Sequence, residues 1–92
     1  MPVLTSEQVQ DRLATLDGWE LQGSTIQRLF KFKNFVDAIA FVNRCVEPAE
    51  AAALHPDLSI SYNKVTVNLT THDAGGLTEK DFELAQAIAA VA

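Results

Sequence analysis

Cys45 is the only cysteine, so no internal disulfide is possible, and its neighbours Phe41, Val42 and Val46 at helical spacing mark it as a buried structural thiol. Proline and glycine are scarce, three and four residues, and no repeat, linker or low-complexity tract occurs, which argues against extensive disorder. No apolar run approaches the ~18 residues a membrane span needs. The first twenty residues carry Glu7, Asp11 and Asp17 where an export signal needs an apolar centre, so a cytoplasmic location is expected. Positive charge is also short. Seven Lys and Arg against twelve Asp and Glu leave a net charge of −5, and the basic residues are scattered from Arg12 to Lys80 rather than gathered into the footprint that direct nucleic-acid binding requires. Histidine is limited to His55 and His72, whose wide separation lacks the close ligand spacing of zinc motifs, so no metal site is expected.

What is present is an ordinary globular balance, 48% hydrophobic and 21% charged over 92 residues. That length implies one domain, 1–92, with one continuous core burying roughly 60–65% of the unfolded surface, a size that oligomerisation would help. Thr5 and Gln8 form a capping-box pattern, Leu4 and Val9 a hydrophobic staple, and Val9, Leu13 and Leu16 one helical face. Asp17-Gly18 ends that helix. Trp19 to Gln22 and Thr25 to Phe32 read as strands joined by a tight turn at Gly23-Ser24. Arg28 shares the parity of the apolar Ile26, Phe30 and Phe32, which implies either a sheet margin or a bulge.

Asn34 caps a second helix whose stripe is Phe35, Ala38, Ile39, Val42, Cys45 and Val46, with a kink or restart expected between Val46 and Pro48. Leu58, Ile60 and Tyr62, then Val65, Val67 and Leu69, alternate with polar residues around a turn at Asn63-Lys64, the period of two half-buried strands. Thr78 caps a third helix, with Asp81 reaching back and Leu77 stapling to Phe82. The expected fold is α+β: a four-stranded, mainly antiparallel sheet with three helices on one face, in the order α-β-β-α-β-β-α. The strand carrying Val65 to Thr71, or a neighbour of it, is expected to offer an open edge for a second copy of the chain.

The chemistry concentrates between Glu50 and Asp81. His55 precedes a proline, which drives its backbone extended and places it at the exit of the second helix, while His72 ends the last strand before a Gly-Gly loop. Two imidazoles at the two ends of a hairpin can fold toward one place, and imidazole donates and accepts protons near neutrality without a cofactor.

The order Glu50, Leu54-His55-Pro56, Tyr62, His72, Asp81, together with the Tyr62 to Val65 turn and the segment Thr71 to Phe82, resembles the signature of the pterin-4a-carbinolamine dehydratases. The likeness extends upstream through Trp19-Glu20 and the Phe30 to Val42 region. It implies dehydration of 4a-hydroxytetrahydropterin to quinonoid dihydropterin, with His55 and His72 as the acid/base and orienting pair. Glu50, Tyr62, Thr71, Asp73 and Asp81 are implied as substrate-binding or orienting residues. The chain departs from the pattern at Leu54, where the family has the first histidine of a His-His-Pro triplet, so catalysis is expected to be weakened. The resemblance implies no cofactor, a small-molecule pterin substrate and a homodimer or homotetramer. Its alternative is a non-catalytic protein-binding or assembly module of the RuBisCO-assembly or transcription-factor-dimerisation kind, with a protein partner that the residues do not name.

Overall fold

The computed structural model describes residues 2–92, and its elements follow the expected order. The first helix, α1 (Ser6–Leu13), begins at the predicted capping box: Thr5 accepts from the Gln8 amide and the Gln8 side chain accepts from the Thr5 amide. Strands β1 (Glu20–Gln22) and β2 (Thr25–Lys31) pair across the two-residue loop Gly23-Ser24, with Gly23 at φ +63, a value that glycine adopts at little cost. After helix α2 (Phe35–Ala52) come β3 (Asp57–Ser61), β4 (Lys64–Leu69), a 3₁₀ turn (His72–Ala74) and helix α3 (Glu79–Val91).

The sheet order is β1-β2-β4-β3, antiparallel at every pairing. Alternation does what the pattern implied. Ile26, Phe30, Val65, Val67 and Leu69 are buried on one face against Phe41, Cys45, Leu84 and Ile88 from α2 and α3. The opposite face carries polar cross-strand neighbours such as Gln27 and Asn68, whose side chains bond at 2.9 Å. The sheet's two edges are β1 and the longer β3, whereas β4, the strand carrying Val65, lies inside the sheet between β2 and β3. Burial in this core pushes the Cys45 thiol pKa up, as befits an inert sulfhydryl.

Of four local expectations, one is decided and three change. The β2–β4 register runs without interruption from Ile26↔Leu69 to Lys31↔Lys64, so no bulge accommodates Arg28, and because β1 pairs only as far as Gln27, Arg28 lies at the sheet margin. There its guanidinium lies 4.4 Å from the Phe30 ring centroid and passes beside Gly18, where an added Cβ would meet Arg28 Nε at 3.0 Å. The α2 stripe is rotated: Ala38, Phe41, Cys45 and Ala49 are buried, while Phe35 and Val46 are exposed. Phe41 wins because it stacks between Phe30 and Phe32, at 4.8 and 4.9 Å centroid separations. The helix also runs through Pro48 without a restart. Finally, the β3–β4 turn is Tyr62-Asn63, because Ser61 pairs with Lys64, which takes Tyr62 out of the strand and sets it at φ +55.

Candidate functional site

The site is made by the way α2 stops. Its C-terminus is a Schellman motif: Ala53 adopts φ 53, ψ 36, its amide donates to Glu50 at 3.1 Å, and the Leu54 amide donates to the Ala49 carbonyl at 3.1 Å. That motif favours an apolar residue just past the left-handed position, and Leu54 meets the requirement by burying in the core with 8% of its surface exposed. The chain then turns sharply, and Pro56 keeps His55 out of helical conformation. His55 is thrown outward, exposed, with its Nε2 2.5 Å from Glu50 Oε2 on the last turn of α2. An ionised carboxylate only accepts, so Nε2 carries the proton in this contact and Nδ1 is the nitrogen left free.

The antiparallel register supplies the second imidazole. Asp57, the first residue of β3, faces Asn68 near the end of β4, so the residues entering β3 and those leaving β4 meet at one end of the sheet. His72 sits there on the 3₁₀ turn. A cleft of about 410 Å³ opens between the α2–β3 corner, with Leu54 and His55, and the turn, with Thr71, His72 and Asp73. That volume suits a bicyclic small molecule. A neighbouring recess of about 290 Å³, walled by Val46, Glu50 and Leu58 among others, shares His55 with it.

Of the residues singled out from the sequence, His55, His72, Thr71 and Asp73 line one cleft, with Leu54 in its wall. Glu50 stands behind His55 and borders the adjoining recess. Tyr62 lies at the far end of the hairpin, 65% exposed and roughly 20 Å along β3 from His55 at ~3.3 Å per residue; within one chain it has no place in the cleft. Asp81 is fully buried and does not line the cleft. Its Oδ2 accepts the Thr71 hydroxyl at 2.8 Å and the Thr78 amide at 2.8 Å, whereas its Oδ1 is buried without a partner. Burial raises its pKa above the ordinary aspartate range, opposed by the bonds from Thr78 and Thr71 and by nearby His72.

Lys80 also lines the cleft and was not singled out from the sequence. A signal for it exists. A cation in the first turn of α3 works against the helix dipole, and Lys80 has no ion-pair partner among the described residues, where Glu79 beside it pairs with Arg12 of α1. The described residues contain no cluster of three or more His, Cys, Asp or Glu able to hold a metal ion, and no helix long and apolar enough to cross a membrane.

Comparison with known proteins gives a consistent picture. Residues 2–91 match the family model described as pterin 4 alpha carbinolamine dehydratase. A protein from a Picosynechococcus strain, provisionally named pterin-4-alpha-carbinolamine dehydratase, is 65% identical over 82 residues, 89% of each chain. One from a Nostoc strain, with the same provisional name, is 56% identical over 89 residues, 97% of this chain and 96% of its own. Among solved structures, a transcriptional coactivator/pterin dehydratase from Brucella melitensis superposes with a TM-score of 0.92 at 38% identity, covering 98% of both chains. A pterin dehydratase-like RuBisCO assembly factor of the alpha-carboxysome shares the fold, with a TM-score of 0.68 at 21% identity over 80% of this chain and 88% of that one.

Proposed function

The chain belongs to the pterin 4 alpha carbinolamine dehydratase family, and we propose that it removes water from 4a-hydroxytetrahydropterin to give quinonoid dihydropterin by histidine acid/base catalysis. The single observation that carries this reading is that His55 and His72, from separate elements, line one cleft of about 410 Å³. The reaction breaks the C4a–O bond and removes the N5 proton, forming C4a=N5 and releasing water. It consumes no oxidant and no cofactor, and its two proton transfers suit two imidazoles.

In this reading Glu50 holds the His55 Nε2 proton, which keeps one tautomer and leaves Nδ1 to exchange a proton with the substrate. His72 serves the second transfer from the opposite wall. Asp73 flanks it and offers a carboxylate to the pterin's amino edge, Thr71 serves as an orienting residue, and Lys80 in the same lining meets a ring carbonyl. Leu54 can neither donate nor accept, so turnover rests on two histidines, and loss of one general acid or base typically lowers a rate by about 10²–10⁴.

A dehydration assay tests this. The native chain should exceed the uncatalysed rate, His55→Ala and His72→Ala should each reduce that excess at least tenfold, and Leu54→His should raise it. Native turnover insensitive to both alanine substitutions would sink the assignment. The second reading, a protein-binding module on the same scaffold, draws its support from Leu54 and is favoured if the native chain adds nothing to the background rate. We further propose that a second copy of the chain pairs along the β3 edge in a homodimer or homotetramer, with no direct nucleic-acid contact.

A further inference from the structure

Asp81 and Thr78 are the only polar or charged residues fully buried among those described, and both bond to Thr71, which lines the cleft next to His72. The two threonine hydroxyls, Thr71 and Thr78, lie 2.9 Å apart, and Thr71 donates to Asp81 Oδ2 at 2.8 Å. A hydroxyl has one proton to give. Since that of Thr71 goes to Asp81, the Thr78 hydroxyl donates to Thr71, and the chain runs in one direction: Thr78 to Thr71 to Asp81.

Thr71 is also the backbone anchor of the turn. Its carbonyl accepts from the amides of Ala74, Gly75 and Gly76 at 3.1, 3.1 and 3.3 Å, and its own amide donates to the Gly76 carbonyl at 3.2 Å. The turn that presents His72 is therefore closed on Thr71, and the Thr71 side chain is tied to the first turn of α3. A helix-capping role for Asp81 needs only the bond from the Thr78 amide. The bond from Thr71, ten positions earlier in sequence, lies outside that role.

We propose that Asp81 is a positioning residue for His72, acting through the Thr71 hydroxyl and never touching substrate: the carboxylate fixes Thr71, Thr71 fixes the 3₁₀ turn, and the turn aims the imidazole into the cleft. The inference rests on the cleft being the pterin site, and a displacement of even ~1 Å at such a site costs rate out of proportion to binding. Thr71→Val removes the hydroxyl while keeping the shape. It should lower kcat roughly 10–100-fold with KM within about threefold, and shift the His72 imidazole resonances of the substrate-free protein while leaving those of His55 in place. Thr71→Ser should restore both readouts, and Asp81→Asn should move the same His72 resonances. Overturning results are a folded Thr71→Val whose His72 resonances match wild type, or an Asp81→Asn that leaves them unmoved when Thr71→Val shifts them. Should the native chain show no dehydration above background, only the enzymatic reading falls, because the His72 resonances decide the positioning claim without turnover.

Discussion

At the scale of single residues, burial separates groups that look alike in sequence. Glu50 and Asp81 are both carboxylates at a helix end, yet Glu50 is open to solvent beside His55 and Asp81 is sealed under Thr71. Desolvation raises the pKa of Asp81, so the folded state favours its neutral form. The sign of the stability effect follows. Its contribution is fully present below the unfolded aspartate value of 3.8 and is lost as pH rises through the higher folded value. Asp81→Asn does not titrate there, so the melting temperature of the wild type relative to this variant should decline from acid toward neutral pH. A gap that stays flat over that range contradicts the buried-carboxylate account.

Leu54 carries a second residue-scale prediction. Its side chain completes the core past the end of α2, so Leu54→Ala should cost about 2–5 kcal/mol in a denaturant titration. Leu54→His should be milder, because the residue also lines the cleft and a ring nitrogen can reach water there. Equal losses for the two substitutions would mean that the site is closed to solvent.

Among the elements, the end of α2 matters most, because its Schellman turn points His55 outward beside Glu50. Ala53 holds a left-handed conformation at φ 53 that a Cβ disfavours. Ala53→Gly should therefore stabilise the fold by about 0.5–1 kcal/mol, read from chemical denaturation, and leave the His55 resonances unchanged. Destabilisation would show that the turn is not set by that dihedral.

Capping boxes, the strand alternation and the Gly23-Ser24 hairpin were legible because they are local and rest on a few neighbouring side chains. The rotation of the α2 stripe was not, since the choice of Phe41 over Phe35 depends on ring stacking with Phe30 and Phe32 from another element. Tyr62 escaped for a related reason. Alternation continues through it, and only the pairing of Ser61 with Lys64 turns it out of the strand.

Across the whole molecule, the antiparallel register is what makes a site from distant residues. Two imidazoles on either side of a hairpin were readable as a pair, because strands of similar length, five and six residues, return the chain to its starting end. Thr71 and Asp81 were singled out through the family resemblance, but Lys80 and the bonds that join Thr71, Thr78 and Asp81 were not readable, since they depend on how α3 packs against the exit of β4. The free β3 edge and the small core fit an assembly of copies, and sedimentation should find a dimer or tetramer that a proline at Ser59, in the middle of β3, weakens.

The central claim is that His55 and His72 face one pterin. Histidine imidazole NMR during titration with a dihydropterin analogue reads it most directly: both sets of resonances should shift together along one saturating curve, with Leu54→His shifting them as well. Movement of neither histidine at saturating analogue, or of one alone, would contradict it.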